Sequence, residues 1–125
     1  MQHPFADLIG LALEATPEGS STARLSIDPA RHYNPQGVVH GAVIFAMADT
    51  GMGAALYPTL DPGHLCATIE IKINYFAAAR GGDLVCETRL LNRGKRVANL
   101  QSEIICDGRT IAQANGNFAI FAVKE

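Results

Sequence analysis

The chain contains 125 residues, of which 48% are hydrophobic and 18% are charged, and its formal net charge is −2. A chain of this length forms one domain as a rule, so residues 1–125 are expected to share a single core. The balanced charge excludes the extended basic surface that binds a nucleic-acid backbone, and the low charged fraction favours a surface partly covered by another subunit.

Residues 1–7 lack the basic start and apolar centre of a signal peptide, which predicts a cytoplasmic protein. Cys66, Cys86 and Cys106 lie in separate apolar runs without CxxC spacing, and we expect reduced thiols in or near the core. The apolar stretch from Gly41 to Leu60 is interrupted by an acidic residue, by glycines and by a proline, so a membrane span is not predicted.

The first half of the chain is predicted to form a β-hairpin followed by one helix. Residues 8–15 and 22–27 have strand-like patterns with a turn between them, and residues 34–37 have the composition of an ordered loop. Apolar side chains then cover every side of a helix over residues 43–56, so we expect protein to surround this helix.

The predicted helix contains two glycines and ends at Tyr57-Pro58. Each glycine costs about 1 kcal/mol relative to alanine inside a helix. Gly51 and Gly53 are therefore expected where another backbone approaches the helix closely.

Four antiparallel strands are predicted in the second half, over residues 67–75, 84–91, 97–106 and 110–122. In the first of these, strict alternation separates an apolar face from a polar face. The apolar face carries Ala67, Ile69, Ile71, Ile73 and Tyr75, and the polar face carries Thr68, Glu70, Lys72 and Asn74. This element order predicts an α+β fold, in which a curved antiparallel sheet wraps around one long central helix.

Asp49 is the only charged residue between Gly41 and Leu60. Moving an unpaired carboxylate into an apolar interior costs many kcal/mol, so Asp49 must be partnered, protonated or exposed to a wet cavity. The last alternative makes Asp49 a catalytic candidate, whereas a structural acid that is hydrogen-bonded by its neighbours is the rival interpretation.

Several segments together resemble the hotdog-fold acyl-CoA thioesterases, especially the PaaI-like branch of phenylacetate degradation. They are Asn34-Pro-Gln-Gly37-Val-Val-His40-Gly41, the helix segment Ala-Met-Ala-Asp49-Thr-Gly-Met-Gly-Ala-Ala, Asn74-Tyr75-Phe76, Gly81-Gly82-Asp83 and Ala112-Gln-Ala-Asn-Gly116. The resemblance implies the hotdog fold and hydrolysis of a small or aromatic acyl-CoA, with coenzyme A as part of the substrate and no separate cofactor.

The resemblance also assigns roles to residues. Asp49 would be the catalytic carboxylate, Gly41 would donate its backbone N–H to the thioester carbonyl, and Asn34 and His40 would shape the site. A hydroxyl residue that holds the carboxylate in some relatives corresponds to Thr68. Because alternation places Thr68 on the polar face, this role requires a β-bulge or an opposing subunit.

The helix itself predicts a site shared between two subunits. His40 and Asp49 are nine positions apart, which is roughly 13 Å along a helix, so one subunit cannot bring them together. Two helices side by side in a two-fold dimer would bring His40 of one subunit close to Asp49 of the other. We therefore expect a dimer as the minimal unit, and we expect two dimers to pair into a tetramer. The helix N-terminus at Gly41 carries about half a positive charge and can stabilise an oxyanion.

The reaction route and the coenzyme A contacts stay open. Asp49 could deprotonate a water molecule, or it could attack the thioester to give a mixed anhydride. Arg80 and the turn with Arg93, Lys95 and Arg96 could contact coenzyme A phosphates or could be solvated surface. The spacing of the remaining histidines does not predict a metal site.

Two other functions compete with thioester hydrolysis. A hotdog hydratase or dehydratase needs a catalytic histidine, and the loop before the helix lacks the His-Phe-Pro pattern of those dehydratases. A non-catalytic acyl-CoA-binding module is the third candidate.

Overall fold

A six-stranded antiparallel sheet wraps around one long helix. The computed structural model describes residues 2–124. Its elements are α1 (Pro4–Ile9), β1 (Leu11–Ala15), β2 (Ser20–Ser26), α2 (Pro29–His32), α3 (Gly41–Leu56), a 3₁₀ turn (Tyr57–Thr59), β3 (His64–Tyr75), β4 (Asp83–Arg93), β5 (Val97–Cys106) and β6 (Arg109–Ala122). The strand order is β1-β2-β4-β5-β6-β3, and α3 contacts all six strands. The predicted α+β hotdog architecture is confirmed.

The sheet covers only one side of α3. Ile44, Met47, Met52 and Leu56 are buried against the sheet. The opposite side lies at the opening between the two edge strands, β1 and β3, and it is partly exposed. The expectation that protein surrounds the helix is therefore met on one side alone within a single protomer.

The two helix glycines have different surroundings. A Cβ atom on Gly51 would lie 2.9 Å from the Thr88 hydroxyl oxygen, and the buried Ser21 hydroxyl donates to the Gly51 carbonyl at 2.6 Å. A Cβ atom on Gly53 would find only a Phe118 ring carbon, at 4.0 Å. The predicted close approach exists at Gly51, although side chains rather than another backbone approach the helix there. The prediction was wrong for Gly53.

A β-bulge changes the alternation of β3. Thr68 pairs with Phe118 and Glu70 pairs with Asn117, so Ile69 is an extra residue without a partner on β6. The bulge shifts the side-chain alternation by one residue. Thr68 consequently points towards α3, and its predicted position on the polar face was wrong.

Two short helices replace predicted strand and loop. The strand expected from residue 8 begins at Leu11, because α1 occupies residues 4–9. The His3 ring accepts the Ala6 N–H at 3.1 Å at the start of α1, and Gly10 ends this helix with a left-handed φ of 76°. Such brief helices depend on single capping contacts, which hydrophobic periodicity does not detect.

The three cysteines are free thiols. Cys86 and Cys106 are buried and Cys66 is half-buried, which confirms their predicted place in or near the core. Burial raises the pKa of each thiol.

The glycine geometry yields a stability prediction. Gly51→Ala should lower the free energy of unfolding by about 1–3 kcal/mol, because the added methyl group overlaps the Thr88 hydroxyl. Gly53→Ala is the matched control and should not destabilise the chain, since the nearest atom outside its own helix backbone, a Phe118 ring carbon, lies 4.0 Å from the new atom. Urea unfolding at equal protomer concentration measures both. A Gly51→Ala variant as stable as the wild type would contradict the packing described here.

Candidate active site

A cavity of about 820 Å³ lies over the uncovered side of α3. Ala42, Ala46, Asp49 and Gly53 of the helix contribute to its wall. The remaining lining is predominantly apolar and includes the rings of Phe5, Phe45, Tyr57 and Phe118. A carboxylate in such surroundings matches the third alternative for Asp49, exposure to a cavity.

Thr68 holds the Asp49 carboxylate. The Thr68 hydroxyl donates a hydrogen bond to Asp49 Oδ1 at 2.7 Å, within the same protomer. The bulge at Ile69 makes this contact possible because it turns Thr68 towards the helix. Asp49 Oδ2 has no hydrogen-bond partner among residues 2–124, so one oxygen is fixed and the other is free to react.

The start of α3 leaves one backbone donor free. The His40 ring nitrogen Nδ1 accepts the Ala42 N–H at 2.9 Å, and the His40 carbonyl accepts the Val43 N–H at 2.9 Å. Within the described part of the chain, the Gly41 N–H has no acceptor. This donor is therefore free to bind an oxyanion at the positive end of the helix dipole.

Tyr75 contacts the start of the helix and was missed as a site residue. Its hydroxyl donates to the Gly41 carbonyl at 2.8 Å, and a Cβ atom on Gly41 would lie 3.3 Å from that hydroxyl. Burial raises the pKa of Tyr75. The sequence signal was its place in the Asn74-Tyr75-Phe76 segment, but alternation made it a core residue.

Gly41 and Asp49 are not together in one protomer. They are eight positions apart, which is about 12 Å along the helix axis. Gly41 lines a different cavity, of about 510 Å³, with Tyr75 and Phe76, whereas Asp49 lines the larger one. Ala42 belongs to both walls and lies between the two cavities.

Asn34 and His40 lie on the Gly41 side. The Asn34 side-chain oxygen accepts the Gln36 N–H at 3.0 Å and the Val38 N–H at 3.3 Å, so this residue shapes the loop before α3. His40 caps the helix. Neither residue contacts Asp49 in the same protomer, and their proposed part in the reaction stays a prediction.

The basic residues lie in two places. Arg93 Nε donates to the Thr59 hydroxyl at 3.3 Å, so its side chain holds the C-terminal end of α3, and Lys95 and Arg96 are exposed in the turn that follows. Arg80 lines a cavity of about 450 Å³, which adjoins the Gly41 cavity because Ala78 belongs to both walls. Contact of any of these residues with coenzyme A stays a prediction.

Residues 2–124 contain neither a metal-binding cluster nor a membrane-spanning helix. No group of three or more His, Cys, Asp and Glu side chains in this part of the chain is arranged to hold a metal ion. None of its helices has the length and hydrophobicity needed to cross a membrane.

Comparisons with known proteins identify the family of the chain. Residues 36–112, more than half of the chain, match the family described as the thioesterase superfamily. The Pseudomonas aeruginosa protein named "Putative esterase PA0474" is 29% identical over 117 residues, which cover 92% of this chain and 87% of that protein.

Solved structures show the same fold. Conserved protein PA5202 from Pseudomonas aeruginosa is 29% identical, has a TM-score of 0.90, and aligns over 97% of this chain and 96% of its own. A phenylacetic acid degradation-related protein from Ralstonia eutropha JMP134 is 27% identical, with a TM-score of 0.87 and coverage of 95% and 91%. The chain therefore belongs to the thioesterase superfamily, as a PaaI-like thioester hydrolase with the hotdog fold.

Proposed function

We propose that the protein hydrolyses a small or aromatic acyl-CoA to the free acid and coenzyme A, in a site that two protomers share. The observation that carries this proposal is the pair of complementary groups on α3. Asp49 is held by Thr68 in an apolar cavity, and Gly41 presents a free N–H about 12 Å away. In a two-fold dimer with antiparallel α3 helices, each Asp49 lies beside the partner's Gly41.

The two groups divide the chemistry between them. The Gly41 N–H of one protomer binds the thioester oxygen and stabilises the oxyanion that forms when the carbonyl carbon is attacked. Asp49 of the other protomer either removes a proton from the attacking water or attacks through its free oxygen. On the second route, the coenzyme A thiolate is expelled and the acyl group remains on Asp49 as a mixed anhydride. Water then hydrolyses this anhydride to the acid. Both routes use the same groups.

The Asp49 cavity supports an apolar acyl group. Phe45, Tyr57 and Phe118 offer ring faces, against which an aromatic or short aliphatic group can pack. Gly53 lies one helical turn beyond Asp49 and leaves space that a side chain would fill. The acyl group would lie along this part of α3, next to the carboxylate.

The other side of the thioester would hold coenzyme A. The Gly41 cavity and the cavity that Arg80 lines share Ala78 in their walls, so a phosphate of the nucleotide would extend from the first towards the Arg80 guanidinium. Arg93 is already bound to Thr59 at the far end of α3. Among the predicted basic residues, the geometry favours Arg80 as the phosphate ligand.

The sheet edge supports the dimer. β3 is an edge strand of 12 residues, and its outer side pairs with no other strand in the described part of the chain. Such edges pair with other chains. The Ile69 side chain at its bulge is 55% exposed, which also suits an interface. Pairing of two β3 strands would bring the two α3 helices side by side. The proposed assembly is a tetramer in which two such dimers pair.

The first prediction concerns the carboxylate. Asp49→Asn should lower the turnover of acyl-CoA roughly 100-fold or more, while the fold and the oligomer persist, because the amide keeps the shape and an acceptor for Thr68. A free-thiol assay with acetyl-, hexanoyl-, benzoyl- and phenylacetyl-CoA measures it. Unchanged turnover would exclude Asp49 from the reaction. Inactivity of the wild type on every ester would instead favour the binding module.

The second prediction concerns Thr68. Thr68→Val removes the hydroxyl at almost constant volume and should lower kcat roughly 10-fold with little change in KM, because Asp49 loses the contact that orients it. Thr68→Ser keeps the hydroxyl and should retain most of the activity. Equal rates for the Val and Ser variants would show that the hydrogen bond has no part in turnover.

The third prediction isolates the backbone donor. Gly41→Pro removes the N–H, and proline is favoured at the first position of a helix. The preceding His40 has φ −62° and ψ 134°, the extended conformation that a following proline requires. We expect kcat/KM to fall roughly 100- to 1,000-fold.

Gly41→Ala is the matched control for that change. It adds a Cβ atom 3.3 Å from Tyr75, as proline does, but it retains the N–H. We expect a much smaller loss than for proline. Similar losses in the two variants would mean that crowding against Tyr75, rather than the missing donor, accounts for the effect.

The fourth prediction compares two arginines. Arg80→Ala should raise KM for an acyl-CoA roughly 5- to 10-fold with kcat unchanged, and it should not affect the corresponding acyl-pantetheine ester, which lacks the nucleotide phosphates. Steady-state kinetics with both esters measure this difference. A raised KM for Arg96→Ala, with none for Arg80→Ala, would place the phosphates on the turn of residues 93–96.

A further inference from the structure

We propose that Tyr75 is a positioning residue for the oxyanion donor, and that the single bulged residue Ile69 lets β3 support both halves of the chemistry. This inference rests on the proposed function, since it assigns a residue that acts through the Gly41 N–H. Tyr75 does not itself touch the reacting atoms in this account. It orients the first turn of the helix whose N-terminus binds the thioester oxygen.

Tyr75 is anchored before it reaches the helix. It pairs with Ala112 of β6, and the next residue, Phe76, donates its N–H to the Ile111 carbonyl at 2.7 Å. From this fixed strand end, the hydroxyl donates to the Gly41 carbonyl at 2.8 Å. The hydrogen bond therefore ties the first residue of α3 to the sheet.

Gly41 needs such a contact because glycine lacks a Cβ atom. Without that atom its backbone dihedrals are poorly restricted, so the direction of its N–H is not set by local sterics. Tyr75 and the His40 ring both hold the peptide group between Gly41 and Ala42, one at the carbonyl and one at the N–H. A Cβ atom on Gly41 would lie 3.3 Å from the Tyr75 ring carbon Cζ, so the ring occupies the space beside this glycine. An oxyanion donor is effective only at a defined distance and angle.

The bulge explains how one strand serves both groups. Thr68 and Tyr75 are seven residues apart, and residues separated by an odd number point to opposite faces of a regular strand. The extra residue Ile69 reverses the alternation between them. Both side chains therefore face α3, where Thr68 holds Asp49 and Tyr75 holds Gly41.

Core packing alone does not explain the position of Tyr75. The residue is 48% exposed and lines the Gly41 cavity, whereas a core residue would be buried. Burial of part of the ring raises the pKa of Tyr75 above its usual value near 10, so the hydroxyl remains protonated and able to donate at neutral pH.

The test uses Tyr75→Phe and two substrates. One is the acyl-CoA hydrolysed best by the wild type, and the other is its dithioester analogue, in which sulfur replaces the carbonyl oxygen and accepts hydrogen bonds weakly. For the thioester we expect kcat to fall roughly 10-fold with KM within about twofold. For the dithioester we expect a smaller loss of kcat. The rate on the thioester divided by the rate on the dithioester should therefore decrease relative to the wild type. This ratio does not depend on the folded fraction of the preparation.

Tyr33→Phe is the matched control. It also removes a tyrosine hydroxyl that donates to a backbone carbonyl, that of Arg80, and we expect the rate ratio to stay at the wild-type value. A Tyr75→Phe variant with the kcat and ratio of the wild type would overturn the inference, as would equal losses on both substrates, which indicate a structural defect. Absence of thiol release by the wild type would overturn the proposed function as well.

Discussion

Asp49 and Gly41 lie on the same helix, about 12 Å apart along its axis, and this separation determines how the two groups can take part in the proposed reaction. A carboxylate and a free backbone donor that belong to one reaction cannot meet within a rigid helix. They meet only if a second helix lies alongside in the opposite direction. The partly exposed side of α3 and the unpaired edge of β3 are on the same side of the protomer, where that second helix would lie.

In the proposed reaction, the apolar surroundings of Asp49 serve the chemistry more than the stability of the fold. Desolvating a carboxylate is unfavourable, and only Thr68 among the described residues compensates one of its oxygens. A sheet that closed fully around α3 would leave the second oxygen buried and unreactive. The opening between the edge strands avoids this outcome, and Gly53 leaves room for a substrate within it. Gly51, by contrast, allows the buried side of the helix to pack against Thr88.

The overall architecture could be predicted because α3 and the strands β4 to β6 have long, regular patterns of apolar residues. Asp49 stood out for a similar reason, as one charge in an apolar run. The bulge could not be predicted, because the alternation across Ile69 is equally consistent with a straight strand. The contact of Thr68 with Asp49 depends on that one extra residue, so the strand pattern placed Thr68 on the wrong face. The pattern placed Tyr75 on the apolar face correctly, but it did not distinguish a contact with Gly41 from core packing. The capping contacts that form α1 are too local for periodicity to reveal.

Complementation between two inactive variants tests the shared site most directly. Asp49→Asn protomers are mixed with Gly41→Pro protomers, and mixed dimers are isolated by two different affinity tags. Each mixed dimer contains one site with both substitutions and one site with neither, so the isolated mixed dimers should show about half of the wild-type activity. If verified mixed dimers remain as inactive as the two parent variants, Asp49 and Gly41 of different protomers do not act together, and the account is contradicted.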